Sequence, residues 1–135
     1  MKITVQNHIT APLTQVWSAY TTPADIVQWN AASDDWHTTR AEVDLREGGE
    51  FCSRMEAKDG SMGFDFAGTY TKIVPFTRLE YSFGDRTAQI EFSSEAENTT
   101  SVRVTFDPEN EFLVEYQQQG WQAILDNFKR YVEGK

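Results

Sequence analysis

Residues 120–133, GWQAILDNFKRYVE, decide how the rest of the chain must be arranged. Trp121, Ile124, Leu125, Phe128, Tyr131 and Val132 recur at the three- and four-residue spacing of one helical face. Gln122, Asp126, Lys129, Arg130 and Glu133 fill the opposite one. The roughly seventy residues before this helix read as strands and turns. A long amphipathic helix that closes an antiparallel sheet must lay its apolar stripe on that sheet, because neither element buries its apolar face alone. Gly120 reads onto the same stripe. Glycine weakens a helix by about 1 kcal/mol relative to alanine, and its missing side chain leaves space where helix meets sheet. The pattern predicts a hollow between the two.

Working back from the helix, the hydrophobic period is two. Ala41, Val43 and Leu45 alternate with charged neighbours, and Gly48-Gly49 makes the next turn. Phe51, Ser53, Met55 and Ala57 follow, and Asp59-Gly60 gives a hairpin signal. Met62, Phe64, Phe66, Gly68 and Tyr70 then share a face as far as Pro75. Leu79, Tyr81 and Phe83, then Ala88, Ile90 and Phe92, then Val102, Val104 and Phe106 complete six strands in hairpin succession. Such a run builds a twisted antiparallel sheet, and its one-sided alternation leaves one face dry.

Ahead of these strands, Met1–Ile9 alternates as a first strand, with Ile3, Val5 and Ile9 on one face and polar Asn7 interrupting it. Pro12 opens a short helix with the stripe Leu13, Val16, Trp17 and Tyr20. Thr22-Pro23-Ala24-Asp25 has the spacing of a capping box with Pro at the first helical position, so a second helix runs to about Trp29. Asn30 to Thr39 lacks periodicity and reads as a loop carrying Trp36. The expected architecture is α+β: a strand, two short helices and six strands forming a curved antiparallel sheet wrapped around a long C-terminal helix. Residues 1–135 form one domain, with no linker, repeat or low-complexity segment to divide it.

With 21 acidic against 12 basic residues, the surface repels phosphate backbones and anionic lipid, so neither nucleic acid nor a membrane is an expected partner. No run approaches the ~18 apolar residues of a membrane span. The first residues have no basic, then apolar, leader pattern. The single cysteine, Cys52, permits no internal disulfide, so a reducing, cytoplasmic setting is expected.

Chemistry-bearing constellations are sparse. The two histidines, His8 and His37, belong to no metal-ligand spacing, and neither HExxH nor CxxC occurs. No metal and no cofactor are therefore expected. Cys52 alternates out of phase with Phe51 and has no activating base nearby in sequence. Gly48-Gly49 lacks the rest of a phosphate loop. Arg54 and Asp65 are brought side by side by the turn at Asp59-Gly60. Their parity puts them on the outer face, where a cross-strand pair in water contributes under about 1 kcal/mol. What stands out is aromatic: Phe64, Phe66, Tyr81, Phe83, Phe92 and Trp121 all fall on the inward parity, and Tyr70 and Tyr81 can each offer a hydroxyl from an apolar wall.

Several local motifs follow one another along the whole chain. They are Ile9-Thr10-Ala11-Pro12 with Val16-Trp17, Thr22-Pro23 with Trp29, and Asp44-Leu45-Arg46-Glu47-Gly48-Gly49-Glu50-Phe51. Then come Gly68-Thr69-Tyr70 with Ile73 and Pro75, Leu79-Glu80-Tyr81, and Gly120-Trp121. In this order they resemble the START-like (SRPBCC, helix-grip) superfamily, and within it the branch of homologues of the activator of heat-shock protein 90 ATPase, also called polyketide-cyclase-like. The resemblance implies a cavity between sheet and closing helix that binds a small hydrophobic molecule. Its expected lining is Trp29, Trp36, Met55, Phe64, Phe66, Tyr70, Tyr81, Phe83, Phe92, Gly120, Trp121 and Ile124, with no catalytic residue. Two alternatives stay open beside binding: a cyclase- or hydratase-like enzyme acting on a lipophilic substrate, and a chaperone-associated interaction domain. A homodimer and a chaperone contact stay open as partners.

Overall fold

The computed structural model describes residues 2–135; Met1, expected at the head of the first strand, lies outside them. The chain runs β1 (Ile3–Ile9), α1 (Leu13–Thr21), α2 (Pro23–Trp29), β2 (Trp36–Val43), β3 (Glu50–Ala57), β4 (Gly63–Val74), β5 (Arg78–Phe83), β6 (Arg86–Ala96), β7 (Thr99–Phe106) and α3 (Val114–Glu133). The strands form one seven-stranded sheet in the order β1-β7-β6-β5-β4-β3-β2, antiparallel throughout. From β2 to β7 each strand simply folds back on the last. Gly48, Gly60 and Gly84 make three of these turns possible, since each has a positive φ that a side chain would strain. β1 instead pairs with β7, from Ile3 opposite Phe106 to Ile9 opposite Thr100. α1 and α2 therefore carry the chain from one edge of the sheet to the other, and α3 lies against the inner face.

Alternation fixes that inner face. Leu79, Tyr81 and Phe83 on β5, Ala88, Ile90 and Phe92 on β6, and Val102, Val104 and Phe106 on β7 are all buried, as their period predicts. From α3 they meet Leu125, Phe128 and Val132, and from α1 Val16 and Trp17. Asn7, the polar residue on an apolar strand face, reaches α3: its Nδ2 donates to the Leu125 carbonyl at 3.3 Å and to Asp126 Oδ1 at 3.0 Å. Arg54 and Asp65 are register partners with an N–O distance of 3.5 Å, and Glu56 also takes the Arg54 guanidinium, at 3.0 Å.

Several local expectations are corrected. Trp36 begins β2 opposite Ala57, so the loop after α2 ends at residue 35. The periodicity was hidden by a bulge between Thr38 and Arg40, which interrupts the alternation. Leu45 lies beyond the strand and is exposed. α3 starts at Val114, about two turns before Trp121, because Glu115 to Gln119 is polar yet helix-compatible. Pro12 is the N-cap of α1 rather than its first residue, and Thr22 caps α2 without a side-chain hydrogen bond. Asp25, the expected partner in that capping box, is engaged elsewhere: it accepts from the Tyr131 hydroxyl at 2.5 Å and from Lys135 at 3.2 Å, tying α2 to the end of α3. Met62 sits in the turn before β4 and is exposed. Among the described residues, no helix is long and apolar enough to cross a membrane.

Candidate functional site

Between α3 and the inner face of the sheet lies a cavity of about 310 Å³, at the small end of the ~300–1,000 Å³ usual for ligand sites. Its floor comes from the sheet: Phe51, Ser53 and Met55 of β3, Phe66 and Tyr70 of β4, Leu79 and Tyr81 of β5, and Val104 of β7. Trp121, Ile124 and Leu125 of α3 form the roof, and Tyr20, Ile26 and Trp29 of the two short helices close one end. Phe64, half exposed, stands at the margin.

The floor keeps its shape through aromatic contacts. Phe51 lies 4.8 Å from Tyr81 and 5.2 Å from Tyr70, ring centre to ring centre. Gly68 permits this: a Cβ there would stand 2.8 Å from the Phe51 ring and 2.4 Å from the Ser82 carbonyl oxygen. A bulge between Tyr70 and Lys72 shifts the parity of β4, so that Tyr70 and Ile73 both face inward.

Polar groups in the wall fall into two sets. The residues Tyr20, Tyr70, Tyr81 and Ser53 bring hydroxyls to the wall, none of which has a hydrogen-bond partner among the described residues. Burial pushes the Tyr70 phenol up to about 12. It raises Tyr20 and Tyr81 as well, Tyr20 with an added push from Tyr70 and Tyr81 with one from both other phenols. All three therefore stay neutral and keep their protons. The second set lies where the β5–β6 turn meets the start of α3. Arg86 pairs with Glu109 at 2.9 Å and lies 4.4 Å over the Phe83 ring. Gln117 holds the connecting segment: its Oε1 accepts from the Glu109 N–H at 2.7 Å, and its Nε2 donates to the carbonyls of Glu109 and Phe112 at 3.0 and 2.9 Å.

Of the expected lining, Trp29, Met55, Phe64, Phe66, Tyr70, Tyr81, Trp121 and Ile124 do border the cavity. Trp36, Phe83, Phe92 and Gly120 do not. Trp36 packs on Phe64 at 5.9 Å. Phe83 supports the wall from beside Phe66 and Trp121. Phe92 is filled over by Trp17 and Tyr20 of α1, at 5.1 and 5.5 Å. Gly120 stands beside the lining, with nothing within 4 Å of where a Cβ would be. The sequence reading missed Phe51 and Ser53, although they share the parity of Met55, and Tyr20, although it lies on the α1 stripe. Arg86 at the start of β6, Glu109 in the segment before α3 and Gln117 near the start of α3 gave no signal, because only the fold brings these element ends together. Among the described residues no three His, Cys, Asp or Glu side chains gather as metal ligands. The Cys52 thiol is pushed up from its ordinary value, by desolvation first and by Asp65 next, so it is not an activated nucleophile.

A curled antiparallel sheet closed over an apolar cavity by its C-terminal helix is the START-like, helix-grip class of fold. Residues 10–133 match the family described as Activator of Hsp90 ATPase homolog 1-like protein, and the chain belongs to that family. It is similar to the solved structure of the AHSA1-like protein from Aeromonas hydrophila, at 51% identity and a TM-score of 0.92. That alignment covers 99% of this chain and 93% of the other. A protein of Cytophaga hutchinsonii is 44% identical over 98% of this chain and 92% of its own, with a TM-score of 0.84. A protein of Chromobacterium violaceum shares the fold at 23% identity, with a TM-score of 0.87 over 98% of each chain. No match was found among curated protein sequences.

Proposed function

We propose that the protein binds a small hydrophobic molecule in the cavity between sheet and helix. The observation that carries this reading is the wall itself. Large side chains of β3, β4 and β5 and of all three helices surround a space that they leave unfilled. Protein interiors normally close such spaces, because unfilled volume forfeits dispersion contacts along its whole lining. A preformed apolar cavity recovers that loss when a ligand supplies the missing atoms.

The test uses N-phenyl-1-naphthylamine, an uncharged fluorescent probe. Saturable one-to-one binding that raises the melting temperature is expected, since a ligand that prefers the folded state stabilises it. The bulkier Ile124→Phe, which intrudes from the roof, should abolish the signal while the fold persists. Absence of probe binding, or binding indifferent to Ile124→Phe, would overturn the proposal.

A further inference from the structure

The hydroxyls of Tyr20, Tyr70 and Tyr81 come from three separate elements and line the same cavity. Tyr70 and Tyr81 are register partners across β4 and β5, and Phe51 packs against both rings. Tyr20 reaches in from α1, held edge-on by Phe92 and Phe128. Tyr70 and Tyr81 are buried, and Tyr20 is half-buried in the cavity wall.

None of these three phenols has a hydrogen-bond partner among the described residues, and their oxygens keep accessible surface, so each is free to bond to what occupies the cavity. No hydrogen bond joins them to one another either, so each phenol has its proton to donate into the cavity. What the cluster lacks is an acceptor, and the surroundings define its charge. Glu42 and Glu109 in the wall oppose an anion, and Arg86, the only Lys or Arg in the lining among the described residues, is already paired with Glu109. The flat faces around the cluster, Phe51, Phe66 and Trp121, suit an aromatic body.

We infer that Tyr20, Tyr70 and Tyr81 form a hydrogen-bonding cluster that receives the carbonyl oxygen of an uncharged aromatic ligand. This rests on the reading of the cavity as a binding site and names the class of molecule it takes. The phenols hold the ligand in one orientation, carbonyl inward, while the aromatic wall supplies the contact area.

Two probes of equal heavy-atom count separate the polar contribution from the apolar one: 2-acetylnaphthalene and 2-isopropylnaphthalene. Both should bind. The carbonyl stretch of bound 2-acetylnaphthalene should fall below its value in an alkane solvent, a measurement that needs no variant. Tyr70→Phe and Tyr81→Phe should each weaken 2-acetylnaphthalene by about tenfold, the effect of losing one hydrogen bond in a dry site, and leave 2-isopropylnaphthalene within about twofold. If both probes bind but the carbonyl stretch stays at its alkane value, or the variants affect both probes alike, the cluster is not the recognition element and only the apolar reading stands. If neither probe binds, the cavity reading itself fails and this inference falls with it.

Discussion

The indole of Trp121 lies flat on the ring of Phe106, with centroids 3.9 Å apart and 11° between the planes. Phe106 ends β7, is fully buried, and stands in register with Ile3 on one side and Ala88 on the other. The stack therefore fixes α3 against the strand that joins the first and last parts of the sheet. Trp121 also meets Phe66 nearly edge-on at 6.3 Å, so the residue that holds the helix down shapes the cavity wall as well. One contact sets both stability and the height of the roof.

Trp121→Ala should accordingly cost about 2–4 kcal/mol, below the full range for a buried tryptophan because the side chain is only half-buried. Urea unfolding of the variant beside the parent checks it. A loss under about 0.5 kcal/mol, the scale of a neutral surface change, would mean that the stack does not hold the helix.

Gly68→Ala tests the close approach on the cavity floor. The added methyl would meet the Ser82 carbonyl oxygen, a backbone atom that cannot swing aside, as well as the Phe51 ring. Overpacking of this kind costs about 1–3 kcal/mol, and displacement of Phe51 should also weaken probe binding. Unchanged stability together with unchanged affinity would show that the floor yields without cost.

Gly120→Ala should go the other way. The sequence places this glycine on the inner stripe; the structure places it beside the cavity wall, with open space where the methyl would go. Helix propensity then acts unopposed, and stability should rise by up to about 1 kcal/mol with ligand affinity unaltered. A destabilised variant in a thermal melt would reveal a contact that the open space denies.

The period of two and the period of 3.6 were both legible, and together they define a sheet gripping a helix. The strands from Phe51 onward and the stripe from Trp121 to Val132 needed no tertiary information. β2 is only partly legible because a bulge between Thr38 and Arg40 breaks the alternation, so the sequence around Trp36 shows no strand period. The cavity was legible only as a set of inward aromatics. Periodicity tells which face a side chain takes, not whether a neighbour has already filled the space before it. Phe92 and Tyr70 have equally inward parities, yet α1 covers the first and leaves the second open. That difference arises where α1 crosses the sheet, which no local pattern records.

Alkaline stability offers a last check on how the cavity tyrosines are held. An unfolded phenol ionises near 10.0, whereas burial pushes Tyr70 up to about 12 and raises Tyr20 and Tyr81 as well. The folded chain thus binds more protons than the unfolded chain once the pH exceeds 10, so unfolding releases protons and stability must fall as pH rises. The contribution is fully present below pH 10 and is lost as the pH climbs through the folded value. For Tyr70 the loss is about 1.4 kcal/mol per pH unit between those two points. Tyr70→Phe removes one such proton, so its unfolding free energy should decline less steeply above pH 10 than the parent's. Denaturant unfolding across that range, with phenolate absorbance followed in the folded protein, reads both quantities. Equal slopes for parent and variant would mean that Tyr70 ionises alike in both states, and that the cavity wall is open to bulk water rather than dry.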